Sequence, residues 1–271
     1  MLRKTMTLEG QVAVITGSSR GIGRAIAERF GAAGARVVVS SSQPQAVETT
    51  VQALLARGVV ATGISCDVGE RTQVEALMAY ALDSFKQVDI WVNNAGISGT
   101  FGCAIDVPPD EWEQVIRTNL LGTYYGSRTV LPYMLKRGYG KLINVTGGGY
   151  RRAQRYLGAY SASKAGIVRL SEALAREHAE IKGVSINVLA PGIVPTDMTK
   201  ELVGIGPAAQ VLWAFPKIMQ VFGTTSAETA ELALYMASAA TNGVSGKIFE
   251  VMPRHRSLWR VARSVFRRDR L

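Results

Sequence analysis

Histidine and cysteine are scarce in the 271 residues: His178 and His255, Cys66 and Cys103. Two cysteines make neither a disulfide framework nor a thiolate cage, and two histidines give no basis for a His-ligated ion. No bound metal is expected, and a reducing compartment suits the chain. Long apolar runs are missing as well. No stretch approaches the roughly 18 uninterrupted apolar residues of a spanning helix, and no apolar segment of signal-peptide type follows Arg3 and Lys4. A cytoplasmic protein is the expectation.

Apolar residues are not scarce overall. They make up 47% of the chain against 19% charged residues, enough for one large core. The formal charge of +10 is unevenly placed. Seven arginines and one acid, Asp269, crowd residues 254–271. The basic balance therefore belongs largely to a tail and argues poorly for a nucleic-acid face; no nucleic-acid partner is expected.

Short apolar runs rich in Val and Ile read as strands buried on both faces. They are Val12 to Thr16, Arg36 to Ser40, Val60 to Cys66, Asp89 to Asn93, Lys141 to Thr146, Ser185 to Ala190 and Lys247 to Val251. Helical patterns separate them: Gly23 to Ala33, Ala46 to Arg57, Thr72 to Phe85, Asp110 to Leu135, Ser161 to His178 and Ala227 to Ser238. Such alternation predicts an α/β fold, a three-layer doubly wound sandwich around a parallel, seven-stranded sheet. With no repeat and no long linker, residues 1–253 read as a single domain and 254–271 as an appended tail.

The first strand runs into Thr16-Gly17-Ser18-Ser19-Arg20-Gly21-Ile22-Gly23 and then a helix. Glycines there let the backbone turn and approach a pyrophosphate, while a helix N-terminus offers unpaired N–H groups to the anion. Further on stand Asn93-Asn94-Ala95-Gly96 after the fourth strand and Asn119 in the helical pattern Asp110 to Leu135. Tyr160-Ser161-Ala162-Ser163-Lys164 opens the next helix, and Pro191-Gly192 with Thr196 follows the sixth strand.

Together these motifs resemble the short-chain dehydrogenase/reductase family over about Leu8 to Val251. The resemblance implies a Rossmann-type fold and an oxidoreductase that moves a hydride between a nicotinamide cofactor and a carbonyl/alcohol pair. It implies cofactor contacts at Gly17, Ser19, Arg20, Gly21, Ile22 and Gly23 and at Ser41 and Ser42. Others fall at Asp67, Val68, Asn93, Ala95 and Gly96, and at Tyr160, Lys164, Pro191, Gly192, Val194 and Thr196. The family's homotetramers or homodimers form through helices equivalent to Asp110–Leu135 and Ser161–His178.

Cofactor choice is read at the end of the second strand, where an acid would bind the NAD ribose and repel a 2′-phosphate. Val39-Ser40-Ser41-Ser42-Gln43 holds none. Arg20 resembles the basic residue of NADPH-preferring members, and a guanidinium suits phosphate by charge and paired donors. NADP(H) is favoured, with NAD(H) the alternative. Asp67 resembles the residue near the adenine; capping the strand end is its other reading.

Tyr160 and Lys164, four apart, share one helical face. A neighbouring ammonium can pull a phenol from its usual 10 down by roughly 1–3 pH units, towards effective general acid/base chemistry. By resemblance, Lys164 would also hold the nicotinamide ribose and Asn119 would anchor a water feeding protons to it. One departure stands out. The serine that binds the substrate carbonyl, usually 13 residues before the tyrosine, is Gly147 here. Thr146 has a hydroxyl, but adjacent strand residues face opposite sides. Either Thr146 turns inward or a backbone N–H takes its place.

Leu202 to Phe222, carrying Val203, Ile205, Val211, Leu212, Trp213, Phe215, Ile218, Met219 and Val221, suits a lid over a hydrophobic or ring-shaped substrate, or a helix packed on the core or a subunit. Arg151, Arg152 and Arg155 precede Tyr160. In the tail, Leu258, Val261, Ala262, Val265 and Phe266 recur at helical spacing among arginines, with Trp259. That pattern fits peripheral contact with an anionic membrane, docking on a neighbouring subunit, or a frayed tail. Two rivals to NADPH-dependent carbonyl reduction stay open: an NAD-linked alcohol dehydrogenase, and a cofactor-binding regulatory protein with weakened catalysis.

Overall fold

The computed structural model describes residues 6–200, 202–213, 219 and 223–251. Seven strands form one sheet: β1 (Val12–Thr16), β2 (Arg36–Ser41), β3 (Ala61–Ser65), β4 (Ile90–Asn93), β5 (Gly140–Val145), β6 (Val184–Ala190) and β7 (Ile248–Glu250). Every pairing is parallel, in the order β3-β2-β1-β4-β5-β6-β7. The order reverses between β1 and β4, and the crevice above such a reversal is where open α/β sheets bind ligands.

Helices α1 (Gly21–Gly31), α2 (Pro44–Leu55), α3 (Arg71–Phe85), α4 (Pro109–Ile116), α5 (Gly122–Arg137) and α6 (Gly158–Glu177) follow successive strands. Short α7 (Asp197–Lys200) and α8 (Pro207–Leu212) come after β6, and α9 (Ser226–Ala237) precedes β7. Seven strands and a covering layer on each face match the architecture expected from the apolar pattern.

Strand alternation divides the core in two. Ile15, Val39, Ile143 and Leu189 meet Ile26 and Phe30 of α1 and Leu234 of α9 on one face. Val14, Val38, Trp91, Leu142 and Ile186 meet Leu77 of α3 and Val130 and Met134 of α5 on the other. Each such buried side chain contributes about 1.5–3 kcal/mol. Thr225 caps α9 reciprocally with Glu228, an arrangement worth about 1 kcal/mol.

The helix expected over Asp110 to Leu135 is present but not uniform. Between α4 and α5 it widens into one π-turn, Arg117–Leu121. That turn carries Asn119, fully buried, against Ile97 and Ser163 of α6; such inserted turns often sit at functional sites.

Candidate active site

The glycine loop is built by close approach. Thr16 Oγ1 accepts the Asn94 and Ala95 N–H groups (3.0 and 3.1 Å), tying the ends of β1 and β4. Ser18 Oγ accepts the Ser40 N–H (3.0 Å) and donates to the Ile15 carbonyl (2.6 Å), tying the loop to β2. Gly17 has φ +62°, and a Cβ there would lie 2.8 Å from Ala95 Cα. Gly23 faces the Gly17 carbonyl and the Asn94 amide with no room for a side chain. Bare backbone and the α1 N-terminus, with no acid in its first turn, make a cradle for an anion. A dinucleotide pyrophosphate fits it.

This loop floors a cavity of about 320 Å³ over the C-terminal ends of the strands. Ser19, Arg20, Gly21 and Ile22 line one end with Ser41 and Ser42; Asp67 and Val68 lie beside them. Ala95, Gly96, Pro191, Gly192, Val194 and Thr196 line the middle, and Tyr160 and Lys164 the far end. Residues distant in the chain thus converge on one space. Arg20 pairs with Asp197 across it (3.7 Å), both side chains well exposed. Asp67 also caps locally, its Oδ1 accepting the Gly69 N–H (2.9 Å).

Tyr160 and Lys164 project from the first turns of α6, as their spacing requires. Lys164 is buried, and its Nζ donates to the Val145 carbonyl (3.2 Å) and lies 5.5 Å from the Tyr160 ring centre. The expectation that the ammonium drags the phenol below its usual value is not met in the ligand-free site. Burial dominates both groups, raising Tyr160 to about 12 and lowering Lys164 to about 8. An apolar surrounding disfavours phenolate and ammonium alike. Tyr160 therefore stays protonated at neutral pH.

Asn119 is fully committed. Its Oδ1 accepts the Ile97 N–H (2.8 Å), and its Nδ2 donates to the Ile97 carbonyl (2.9 Å) and Ser163 Oγ (3.0 Å). It clamps the chain beyond β4 against α6, close to Lys164 across Gly96. The Thr146 hydroxyl donates to the Lys164 carbonyl (2.9 Å), so its proton goes to α6 and not to a ligand. Thr146 lines the cavity without supplying the missing donor. At Gly147, a Cβ would overlap the Tyr160 hydroxyl: the phenol occupies the space that a side chain would need.

Asn93, expected among the cofactor residues, is turned the other way. Its side chain is buried below the sheet's end, accepting from Trp91 Nε1 (2.8 Å) and donating to Asn144 Oδ1 (2.9 Å). The next residue, Asn94, lines the cavity and donates to the Thr16 and Gly17 carbonyls (2.9 and 3.1 Å). Strand alternation is the signal that separates them. Ser98, Gln154 and Thr199 also line the cavity, and no spacing in the sequence marks them.

Beyond the cavity, the backbone of Phe101 bonds Val203 (2.8 Å) and Ile205 (3.0 Å), holding the chain just after α7. Val203, Val211 and Trp213 are exposed. Phe215, Ile218 and Val221, and the tail 254–271, lie outside the described residues. Among the described residues no helix is long and apolar enough to cross a membrane, and no group of three or more His, Cys, Asp or Glu side chains is placed to hold a metal ion.

The short chain dehydrogenase family model matches residues 11–204. The chain belongs to that family. Among its relatives, glucose 1-dehydrogenase 2 of Bacillus subtilis (strain 168) is 32% identical over 241 residues, 88% of this chain and 92% of that one. A 3-oxoacyl-[acyl-carrier-protein] reductase of Escherichia coli (strain K12) is 36% identical over 197 residues, 73% and 79% of the two chains. The solved structure of an actinorhodin polyketide ketoreductase variant with NADPH superposes with TM-score 0.78 at 32% identity, covering 89% of this chain and 95% of the other. The protein is a short-chain oxidoreductase acting on CH–OH/carbonyl substrates with a nicotinamide cofactor.

Proposed function

We propose that this short-chain enzyme runs as an NADPH-dependent carbonyl reductase on apolar ketones, with Tyr160 as the proton donor. One observation carries the reading: a half-buried, protonated phenol and the buried Lys164 side chain share the α6 face that opens into the cavity above the glycine loop. A bound nicotinamide supplies the hydride. Tyr160 gives its proton to the carbonyl oxygen, Lys164 holds the ribose side and re-protonates the phenol, and Asn119 keeps the chain between β4 and α6 in register. Gly17, Gly21 and Gly23 expose backbone to the pyrophosphate, with Ser19 and Ile22 flanking it. Arg20, Ser41 and Ser42 receive the 2′-phosphate, and Asp67 and Val68 the adenine. Ala95, Gly96, Pro191, Gly192, Val194 and Thr196 shape the ribose and nicotinamide end.

Ile97, Leu157, Ile193, Met198 and Leu202 along the wall favour an apolar substrate. A polyketide ketoreductase and a 3-oxoacyl reductase among the relatives support the reductive direction. The test is a panel of cyclic ketones, aryl diketones and a 3-oxoacyl thioester with NADPH and with NADH, and glucose with NADP⁺ in reverse. Wild type and Tyr160→Phe are run side by side. The reading requires turnover with NADPH favoured and a loss of at least 10³-fold in the variant. The basic tail is proposed to rest on anionic membranes; sedimentation with phosphatidylserine vesicles, with and without residues 254–271, checks it.

A further inference from the structure

The carbonyl end of the cavity lacks the donor that its family resemblance calls for, and the space is filled in an unusual way. Gly147 leaves room for the Tyr160 hydroxyl, and the Thr146 hydroxyl donates its hydrogen bond to the Lys164 carbonyl. Gly148, next along, also has no side chain, and there the Gln154 carboxamide moves in. A Cβ on Gly148 would stand 2.6 Å from Gln154 Nε2 and 3.2 Å from its Oε1. Gln154 lines the same cavity as Gly147, Gly148 and Tyr160.

The main chain of Gln154 is held at both ends. Its N–H donates to Ser161 Oγ (3.0 Å), and its carbonyl accepts the Leu157 N–H (3.2 Å) just before α6. Among the described residues its side chain makes no hydrogen bond, so both amide N–H groups are available to a ligand. A carboxamide is neutral across the working pH range and donates without titrating.

We infer that Gln154 supplies the second hydrogen bond to the substrate carbonyl oxygen, replacing the hydroxyl absent at Gly147. The inference rests on carbonyl reduction at Tyr160. As the carbonyl carbon gains the hydride, the π pair moves to oxygen, which takes the Tyr160 proton. The Gln154 N–H steadies the negative charge in transit and keeps its own proton. A donor aimed at charge that exists only in the transition state acts on kcat; removing one such donor costs about 10²–10³-fold.

Gln154→Ala and Gln154→Glu are assayed with saturating NADPH on the ketone the panel finds best, beside Tyr160→Phe. The alanine variant is expected to lose about 10²-fold in kcat with the NADPH dissociation constant unchanged by fluorescence titration. The glutamate variant is expected to regain rate as pH falls through its carboxyl range, because only the protonated acid donates; wild type has no such limb. A kcat for Gln154→Ala within threefold of wild type, or a wild-type pH profile in Gln154→Glu, overturns the inference. Full activity in Tyr160→Phe instead removes the carbonyl-reductase reading beneath it.

Discussion

The Tyr160 hydroxyl lies where a side chain on Gly147 would begin. Glycine at this position is thus not a vacant serine site but part of the phenol's seat. The first prediction follows. Gly147→Ala forces the phenol off its position, and kcat should fall more than tenfold while Tm moves by less than about 3 °C, since the new methyl presses on the end of one side chain rather than on packed backbone. Calorimetry beside steady-state kinetics checks both; unchanged kcat would show that the phenol works from elsewhere.

Burial sets the second prediction. Tyr160, raised to about 12, is protonated throughout the useful range, whereas Lys164, lowered to about 8, loses its charge within it. The alkaline limb of kcat/KM for reduction should therefore fall near pH 8 and belong to Lys164, because kcat/KM reports groups of the free enzyme. In Lys164→Arg, which cannot deprotonate, whatever activity survives should show no limb below pH 10.

Much of this was legible beforehand, and the failures have a common cause. Val12–Thr16 appears as read, because a fully buried strand writes itself as a continuous apolar run. The glycine loop, Tyr160 and Lys164 were readable because backbone approach and i,i+4 spacing are local. The side chain of Asn93 turns away from the cavity and that of Asn94 towards it, a difference hidden because adjacent residues at a strand's end look alike in sequence while facing opposite sides. Thr146 failed to supply a donor because its partner, the Lys164 carbonyl, is brought to it only by β5 packing on α6. The direction of the Tyr160 shift was missed because spacing reveals the nearby cation but not the desolvation that outweighs it. Gln154 gave no signal, since its relevance depends on the space that Gly148 leaves open.

Lys141 supports a prediction about stability. It is buried near the start of β5, at the sheet's end opposite the cavity, and among the described residues its Nζ donates only to Thr241 Oγ1, at 3.3 Å. Burial lowers it to about 8. A lysine depressed by folding binds fewer protons than its unfolded counterpart between about 8 and 10.5, so stability should rise with pH from about 8. Cys66, raised by burial to about 11, opposes this above pH 9, where the unfolded thiol ionises. Lys141→Met should raise Tm by a few degrees at pH 7, shrink the rise between pH 8 and 9, and leave kcat untouched. Thr241 Oγ1 stays satisfied by donating to the Met236 carbonyl (2.6 Å). A lower Tm would mean that the ammonium is better solvated than its burial indicates.

Arg20 and Asp197 carry the last prediction, on cofactor choice. Their ion pair spans the cavity at 3.7 Å with both side chains exposed, so it is worth no more than about 1 kcal/mol and yields readily to a stronger anion. A 2′-phosphate, carrying more charge and three acceptor oxygens, should draw the guanidinium away from the carboxylate. Arg20→Leu should then raise KM for NADPH by about 10–100-fold and change KM for NADH by less than threefold. Asp197→Asn should act oppositely, lowering KM for NADPH a few-fold by removing the competing charge while leaving NADH nearly unaffected. Titrating both variants with both cofactors at low and high salt separates the cases. An equal loss with NADPH and NADH in Arg20→Leu would assign Arg20 to the pyrophosphate and leave the NADPH preference without its guanidinium.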